Sequence, residues 1–222
     1  GPVYNLQAME KGNTWEDLQD LASRMADQIF ISRNLDQLNK RGVDMLFHPG
    51  THDFVCFDLA WGGKHHPNIP IYLKPNTGHG KRGGHPGDER GEQNKAAFLM
   101  EHFFEEFDSL LEPPAVKSQR KGNRLQVEVT FKPGNKAESG RIFWIYDRGD
   151  DGSAAYLEDM IPNENWGEMK YDKEKKAWTV AIALDPDAKR IDFFSNHRKT
   201  ISYKFRKYPT YISSPYTRVS LK

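Results

Sequence analysis

Two side chains able to share a proton, Asp53 and His79, stand in matching contexts. The run V-D-M-L-F (residues 43–47) stops at Pro49 and Gly50, and Asp53 follows. The run I-P-I-Y-L (residues 69–73) stops at Pro75 and Asn76, and His79 follows between Gly78 and Gly80. Short runs of β-branched and aromatic residues bounded by turn residues read as strands. In open α/β sheets the ligand crevice lies beyond the C-terminal strand ends. An acid and a histidine at two such ends suit one chemistry: the carboxylate orients the imidazole, and the imidazole takes the proton of a hydroxyl nucleophile. Asp58 is a second acid nearby, but it falls in the connecting segment and not at a strand end. His52, beside the acid, and His85, in the glycine-rich stretch after His79, are expected to line the substrate entrance.

The neighbouring segments are expected to hold these residues in place. Between Asp53 and Ile69 there is room for one crossover, and parallel strands need a connection of about a dozen residues. F-V-C-F-D-L-A-W (residues 54–61) reads as a short helix stopped by Gly62 and Gly63. Thr14 and Asp17 resemble a capping box, and Leu18, Leu21, Ala22, Met25 and Ile29 then recur at helical spacing. A helix over residues 34–40 ends at Gly42 and feeds the first strand. After Glu92, the residues Ala96, Ala97, Leu99, Met100, Phe103, Phe104 and Phe107 mark another helix, expected to pack on the sheet. Between them, G-K-R-G-G-H-P-G-D-E-R-G (residues 80–91) lacks phosphate-loop spacing and reads as a mobile rim beside His79.

The order strand, acid, crossover, strand, histidine, helix resembles the last third of an α/β-hydrolase. The residues that carry the likeness are Pro49-Gly50-Thr51-His52-Asp53 and Lys74-Pro75-Asn76-Thr77-Gly78-His79-Gly80. It is similar to the prolyl-oligopeptidase-like branch and to the PhoPQ-activated pathogenicity-related proteins, over roughly residues 14–110. The resemblance implies a serine hydrolase acting on peptides or carboxylic esters, with Asp53 and His79 as two members of a Ser-Asp-His triad and no cofactor. It also implies a secreted or periplasmic location. The family's nucleophile sits on a G-x-S-x-G elbow upstream of the acid, and this sequence has none. Ser23 and Ser32 precede Asp53 without flanking glycines, and Ser153 comes after both partners. The chain therefore reads as the C-terminal part of a hydrolase. Its expected partner is an upstream fragment of the same precursor carrying the serine, and residues 43–73 should leave a strand edge for it.

Beyond Pro113 and Pro114 the hydrophobic period changes from helical to alternating. Strand patterns over residues 125–131, 141–146, 166–171, 177–184, 190–194, 201–205 and 217–221 suggest a β-sandwich. The expected organisation is thus α/β over residues 1–112, the C-terminal portion of an α/β-hydrolase sheet with flanking helices, then an all-β sandwich-like domain over residues 113–222. A net charge of +1 gives no reason to expect nucleic acid or an anionic membrane as partner. The single cysteine, Cys56, excludes an intrachain disulfide. His48, His52, His65, His66 and His85 lack zinc-ligand spacing, so no metal is expected. A different class of function, a non-catalytic module binding glycans or another protein, would place Trp144, Trp166, Trp178, Tyr208, Tyr211 and Tyr216 on the sandwich surface.

Overall fold

In L-Q-V-E-V-T every second residue is apolar, and a strand places such residues on one face. The computed structural model, which describes residues 10–14, 17, 31–53, 59–79, 83–88, 94–104, 109–151 and 153–222, follows this rule. Strand β2 (Arg124–Thr130) buries Leu125, Val127 and Val129 and leaves Gln126 and Glu128 partly exposed. It pairs antiparallel with β1 (Ala115–Lys121) across the two-residue loop Gly122, Asn123, with Gly122 at a left-handed φ of 59°.

Among the described residues the further strands are β3 (Ser139–Tyr146), β4 (Trp166–Glu168), β5 (Lys170–Asp172), β6 (Ala177–Ala183), β7 (Arg190–Tyr203), β8 (Arg206–Ser213) and β9 (Thr217–Ser220). They form two antiparallel sheets. One has the order β1-β2-β6-β5; the other is β4-β3-β7-β8, with β9 also on β7. The sandwich core between them holds Leu125, Val127, Val129, Ile142, Trp178, Ile191 and Phe193. Strands β3 and β7 are apolar on both faces. From β3, Phe143 and Ile145 point the other way, and from β7 so does Phe194, into a second core with Leu59, Leu73, Tyr156, Ile161 and Tyr216. A sheet covered on both sides needs such near-continuous apolar runs.

Among the described residues the helices are α1 (Ile31–Lys40), α2 (Leu59–His65), α3 (Asn94–Phe103) and α4 (Ala154–Glu158). Helix α1 ends at Gly42, whose φ of 70° suits glycine. Thr14 and Asp17 form the reciprocal hydrogen bonds of a capping box, Asp17 N–H to Thr14 Oγ1 at 3.1 Å and Thr14 N–H to Asp17 Oδ2 at 2.8 Å. The helical pattern after Asp17 lies outside the described residues. Gly62 and Gly63 do not stop α2 but lie inside it. A Cβ on Gly63 would fall 2.0 Å from the Tyr216 carbonyl oxygen, so the helix sits there only without a side chain. No helix among the described residues is long and apolar enough to cross a membrane.

The expected α/β-hydrolase sheet with flanking helices is not formed; the chain is mostly antiparallel β-structure in a sandwich-like fold. The two runs around Asp53 and His79 do pair in parallel, but only through isolated bridges, Phe47 to Ile71 and Gly50 to Lys74. Pro49, Pro70 and Pro75 supply no N–H, so a longer ladder is blocked. The edge expected to await upstream strands is also occupied beside Ile71. Ser213 N–H donates to the Ile71 carbonyl and Leu73 N–H to Ser213 Oγ, each at 2.8 Å. Helix α3 packs on β8, not on a parallel sheet: Asn94 Nδ2 donates to the Tyr211 carbonyl at 2.8 Å and Oδ1 accepts from Tyr211 N–H at 2.7 Å. Secondary structure changes at Pro113 and Pro114, yet the core with Leu59, Leu73, Phe143 and Phe194 spans the boundary.

Candidate active site

The parallel pairing sets two turns side by side. Phe47 N–H donates to the Pro70 carbonyl (2.9 Å), Tyr72 N–H to Phe47 (2.8 Å), Lys74 N–H to Pro49 (3.0 Å) and Thr51 N–H to Lys74 (2.9 Å). Beyond the last rung, His52 N–H reaches the Thr77 carbonyl at 3.1 Å. Gly50 makes this closeness possible, since a Cβ there would lie 1.8 Å from the Thr77 oxygen. Asp53 closes its own turn by donating N–H to the Gly50 carbonyl at 3.2 Å. His79 lies in a loop whose base is pinned by an antiparallel bridge between Thr77 and Gly83.

At the ends of these segments His79 Nδ1 lies 3.2 Å from Asp53 Oδ1 and 3.4 Å from Oδ2. The carboxylate side chain is 16% exposed and the imidazole 60%. With Nδ1–H donating to the carboxylate, the neutral ring carries its lone pair on Nε2, the tautomer a general base requires. Asp58, the other candidate acid, lies outside the described residues, as do Cys56 and Ser23.

His52 is half-buried and His85 buried, and both rings are engaged in hydrogen bonds to neighbouring segments. His52 Nε2–H donates to the Asp159 carbonyl at 2.7 Å, and Nδ1 accepts from the Thr51 hydroxyl at 2.9 Å. That hydroxyl in turn accepts Asn76 N–H at 2.9 Å. Burial, then the positive charge of Arg148, pulls the His52 pKa down to about 4, so the ring stays neutral and its Nδ1 goes on accepting the Thr51 hydroxyl. His85 is 5% exposed; its Nε2–H donates to the Pro162 carbonyl at 2.9 Å and Nδ1 accepts Gly87 N–H at 3.0 Å. The glycine-rich stretch, expected to be a mobile rim, is fastened over residues 83–88. Besides His85, Arg141 Nη1 donates to the Gly87 carbonyl and the Tyr72 hydroxyl to Asp88, each at 2.8 Å. A segment tied to its neighbours by so many hydrogen bonds has little freedom to open.

Two residues to which the sequence reading gave no side-chain role complete the scaffold. Asn76, at a left-handed φ of 55° and 5% exposed, uses its amide as a mock strand edge. Its Nδ2 donates to the Ile161 carbonyl at 2.7 Å, and Oδ1 accepts Ile161 N–H at 2.9 Å. Asparagine in a turn tolerates that φ, which was the available signal. Arg148, fully buried, donates from Nη2 to the Thr51 carbonyl at 2.6 Å. A lone arginine directly after the apolar strand β3 and Asp147 was its trace in the sequence.

Other serines and histidines serve different ends. Ser195 Oγ and His197 Nε2 lie 2.9 Å apart, but both residues are 0% exposed, so no substrate reaches them. Ser153 caps α4 by accepting Tyr156 N–H at 3.0 Å. A second acid–histidine contact, Asp44 Oδ2 to His102 Nδ1 at 2.6 Å, lines a cavity of about 340 Å³ beside α3. His65 stacks on Trp61 at 4.6 Å between centroids, and His66 meets the same ring edge-on at 5.5 Å. Among the described residues no three His, Cys, Asp or Glu side chains gather into a group that could hold a metal ion. The aromatic rings of the tail that would make a glycan platform are turned inward. Trp178, Tyr211 and Tyr216 are buried, and Trp144, Trp166 and Tyr208 are half-buried. No protein-family model, curated protein or solved structure matches the chain.

Proposed function

We propose that this chain carries the acid and the histidine of a Ser-His-Asp hydrolytic site for peptide or carboxylic ester bonds. The observation that supports this reading is the Asp53–His79 contact of 3.2 Å, made by a largely buried carboxylate and a solvent-facing imidazole at the ends of two paired segments. In this scheme Asp53 fixes the imidazole and stabilises its protonated form. His79 Nε2 takes the serine proton as the oxygen attacks the carbonyl, then returns it to the leaving group. The reading rests on the site and not on an α/β-hydrolase sheet, which the chain does not form.

The serine in this proposal belongs to a segment outside the 222 residues, most simply an upstream fragment of the same precursor. Ser195 and Ser153 are committed elsewhere, as described above. The exposed face of His79 is where such a partner would dock. The test is to label the native preparation with a fluorophosphonate and to measure the intact mass of every polypeptide in it. Label on a separate upstream fragment, lost with Asp53→Asn or His79→Ala in this chain, is the expected result. Label on this chain, or robust hydrolysis by it alone, would overturn the proposal. The inward-facing aromatic rings of the tail give the glycan-binding alternative no comparable support.

A further inference from the structure

We infer that Arg148 is the positioning residue of the proposed acid–histidine pair, and that through it the sandwich sets the place of Asp53. This inference rests on the proposed role of Asp53 and His79, although its test does not require hydrolysis.

Arg148 spreads its guanidinium over three acceptors. Nη2 donates to the Thr51 carbonyl (2.6 Å), Nε to the Tyr156 carbonyl (2.8 Å) and Nη1 to the Tyr216 hydroxyl (2.9 Å). The Tyr156 ring lies beneath it, 3.6 Å from Cζ to centroid. Behind this fork, Tyr216 donates to Asp192 Oδ2 at 2.9 Å, and Asp192 is held by Arg218 through Nε and Nη2, each at 2.7 Å. Arg218 Nη2 also donates to the Gly149 carbonyl at 2.8 Å, one residue from Arg148. The arginine therefore cannot swing: its planar fork is pinned on Tyr156 of α4 and on Tyr216, which Asp192 of β7 and Arg218 of β9 hold in turn.

A buried cation is a costly way to fill space, and apolar side chains of similar volume often serve stability as well. An apolar side chain could not grip a carbonyl. The carbonyl gripped here belongs to Thr51, two residues before Asp53 in the same turn. Thr51 also holds His52 through its hydroxyl, and His52 holds Asp159. The turn is thus clasped from the tail at two points, while its far end carries the carboxylate that meets His79. Asp53 donates its backbone N–H to the Gly50 carbonyl and meets His79 Nδ1 at 3.2 Å through Oδ1. Slack at Thr51 would pass to the carboxylate, because two residues span too little chain to absorb it.

The readout is the imidazole of His79, observed by ¹⁵N NMR in the full chain above its titration. Imidazole nitrogen shifts report which nitrogen bears the proton. Wild type should show the Nδ1–H form, and Asp53→Asn should lose it. In Arg148→Lys, which keeps the charge but not the fork, the Nδ1–H form should fall markedly with near-wild-type circular dichroism. Tyr216→Phe, which removes one hydroxyl, should give a smaller fall of the same kind and decides the matter if Arg148→Lys does not fold. Leu125→Ala, a core truncation in the opposite half of the sandwich, should lower stability and leave the His79 signal unchanged. Wild-type His79 spectra in the folded Arg148 and Tyr216 variants, or an equal loss in Leu125→Ala, would overturn the inference. Identical spectra for wild type and Asp53→Asn would instead defeat the proposed pairing of Asp53 with His79.

Discussion

Lowering the pH from about 7 to about 5 protonates a histidine in the unfolded chain, where its ordinary pKa is near 6.5. In the folded protein two rings refuse that proton. His197 is buried in the sandwich core, edge-on to Phe131 at 5.1 Å and Trp178 at 5.8 Å, and burial lowers its pKa to about 3. Burial and the charge of Arg148 lower that of His52 to about 4. The folded pKa is depressed in both, so the unfolded state binds more protons throughout the window from 6.5 downward. Stability from these groups is fully present above about pH 7, declines as pH falls through 6.5, and levels off only below the folded values.

Each histidine contributes a slope of about 1.4 kcal/mol per pH unit inside that window. Between about pH 7 and pH 5 the loss is about 2 kcal/mol for His197, and somewhat less for His52, which keeps partial contact with solvent. Together they approach 4 kcal/mol, a large share of a typical stability of about 5–15 kcal/mol. The assay is urea unfolding at pH 7, 6 and 5, with the midpoint and slope read at each pH. Carboxylates titrate in the same experiment, so the decisive comparison is with His197→Gln. That variant should be less stable at pH 7 but should lose about one proton from the pH dependence. An unchanged pH slope in a folded His197→Gln would refute the argument that burial keeps this ring neutral.

Further outcomes follow from the same contacts. Gly50→Ala drives a Cβ against the Thr77 carbonyl and should cost about 3 kcal/mol, read as a lower urea midpoint, with the His79 Nδ1–H signal lost as well. Asn76→Ala leaves the Ile161 N–H and carbonyl unpaired in the interior and places alanine at a positive φ; thermal unfolding should show about 2–4 kcal/mol of destabilisation. Under the proposed hydrolytic function, Asp53→Asn should lower turnover about 10⁴-fold with little change in unfolding midpoint, because the wrong imidazole tautomer is then favoured. A fragment of residues 115–222 exposes Phe143, Phe194 and Tyr216, so it should bind a hydrophobic dye and associate, unlike the full chain. A monomeric, dye-silent fragment would mean that the second core is dispensable.

What the sequence determined by itself was local. Alternation marked β2, turn residues bounded the strands, and Gly42 closed α1, because each depends on side-chain periodicity or on a φ that few residues adopt. The nearness of Asp53 and His79 was legible for the same reason: strand-like runs, turns and ionisable residues follow one another at short range. Much of the surrounding structure was not legible. Nothing in the string states that Ser213 takes the Ile71 carbonyl, that His52 and His85 turn inward to Asp159 and Pro162, or that Arg148 reaches Thr51 across 97 residues. The parallel runs suggested an α/β sheet, but strand identity does not specify a strand's neighbours. Those are chosen by what remains to be covered, and here the apolar outer face of β3 and β7 offered Leu59 and Leu73 a better burial than a parallel ladder interrupted by Pro49, Pro70 and Pro75. Tertiary structure decided the company of the site because burial and hydrogen-bond satisfaction are set among segments distant in sequence.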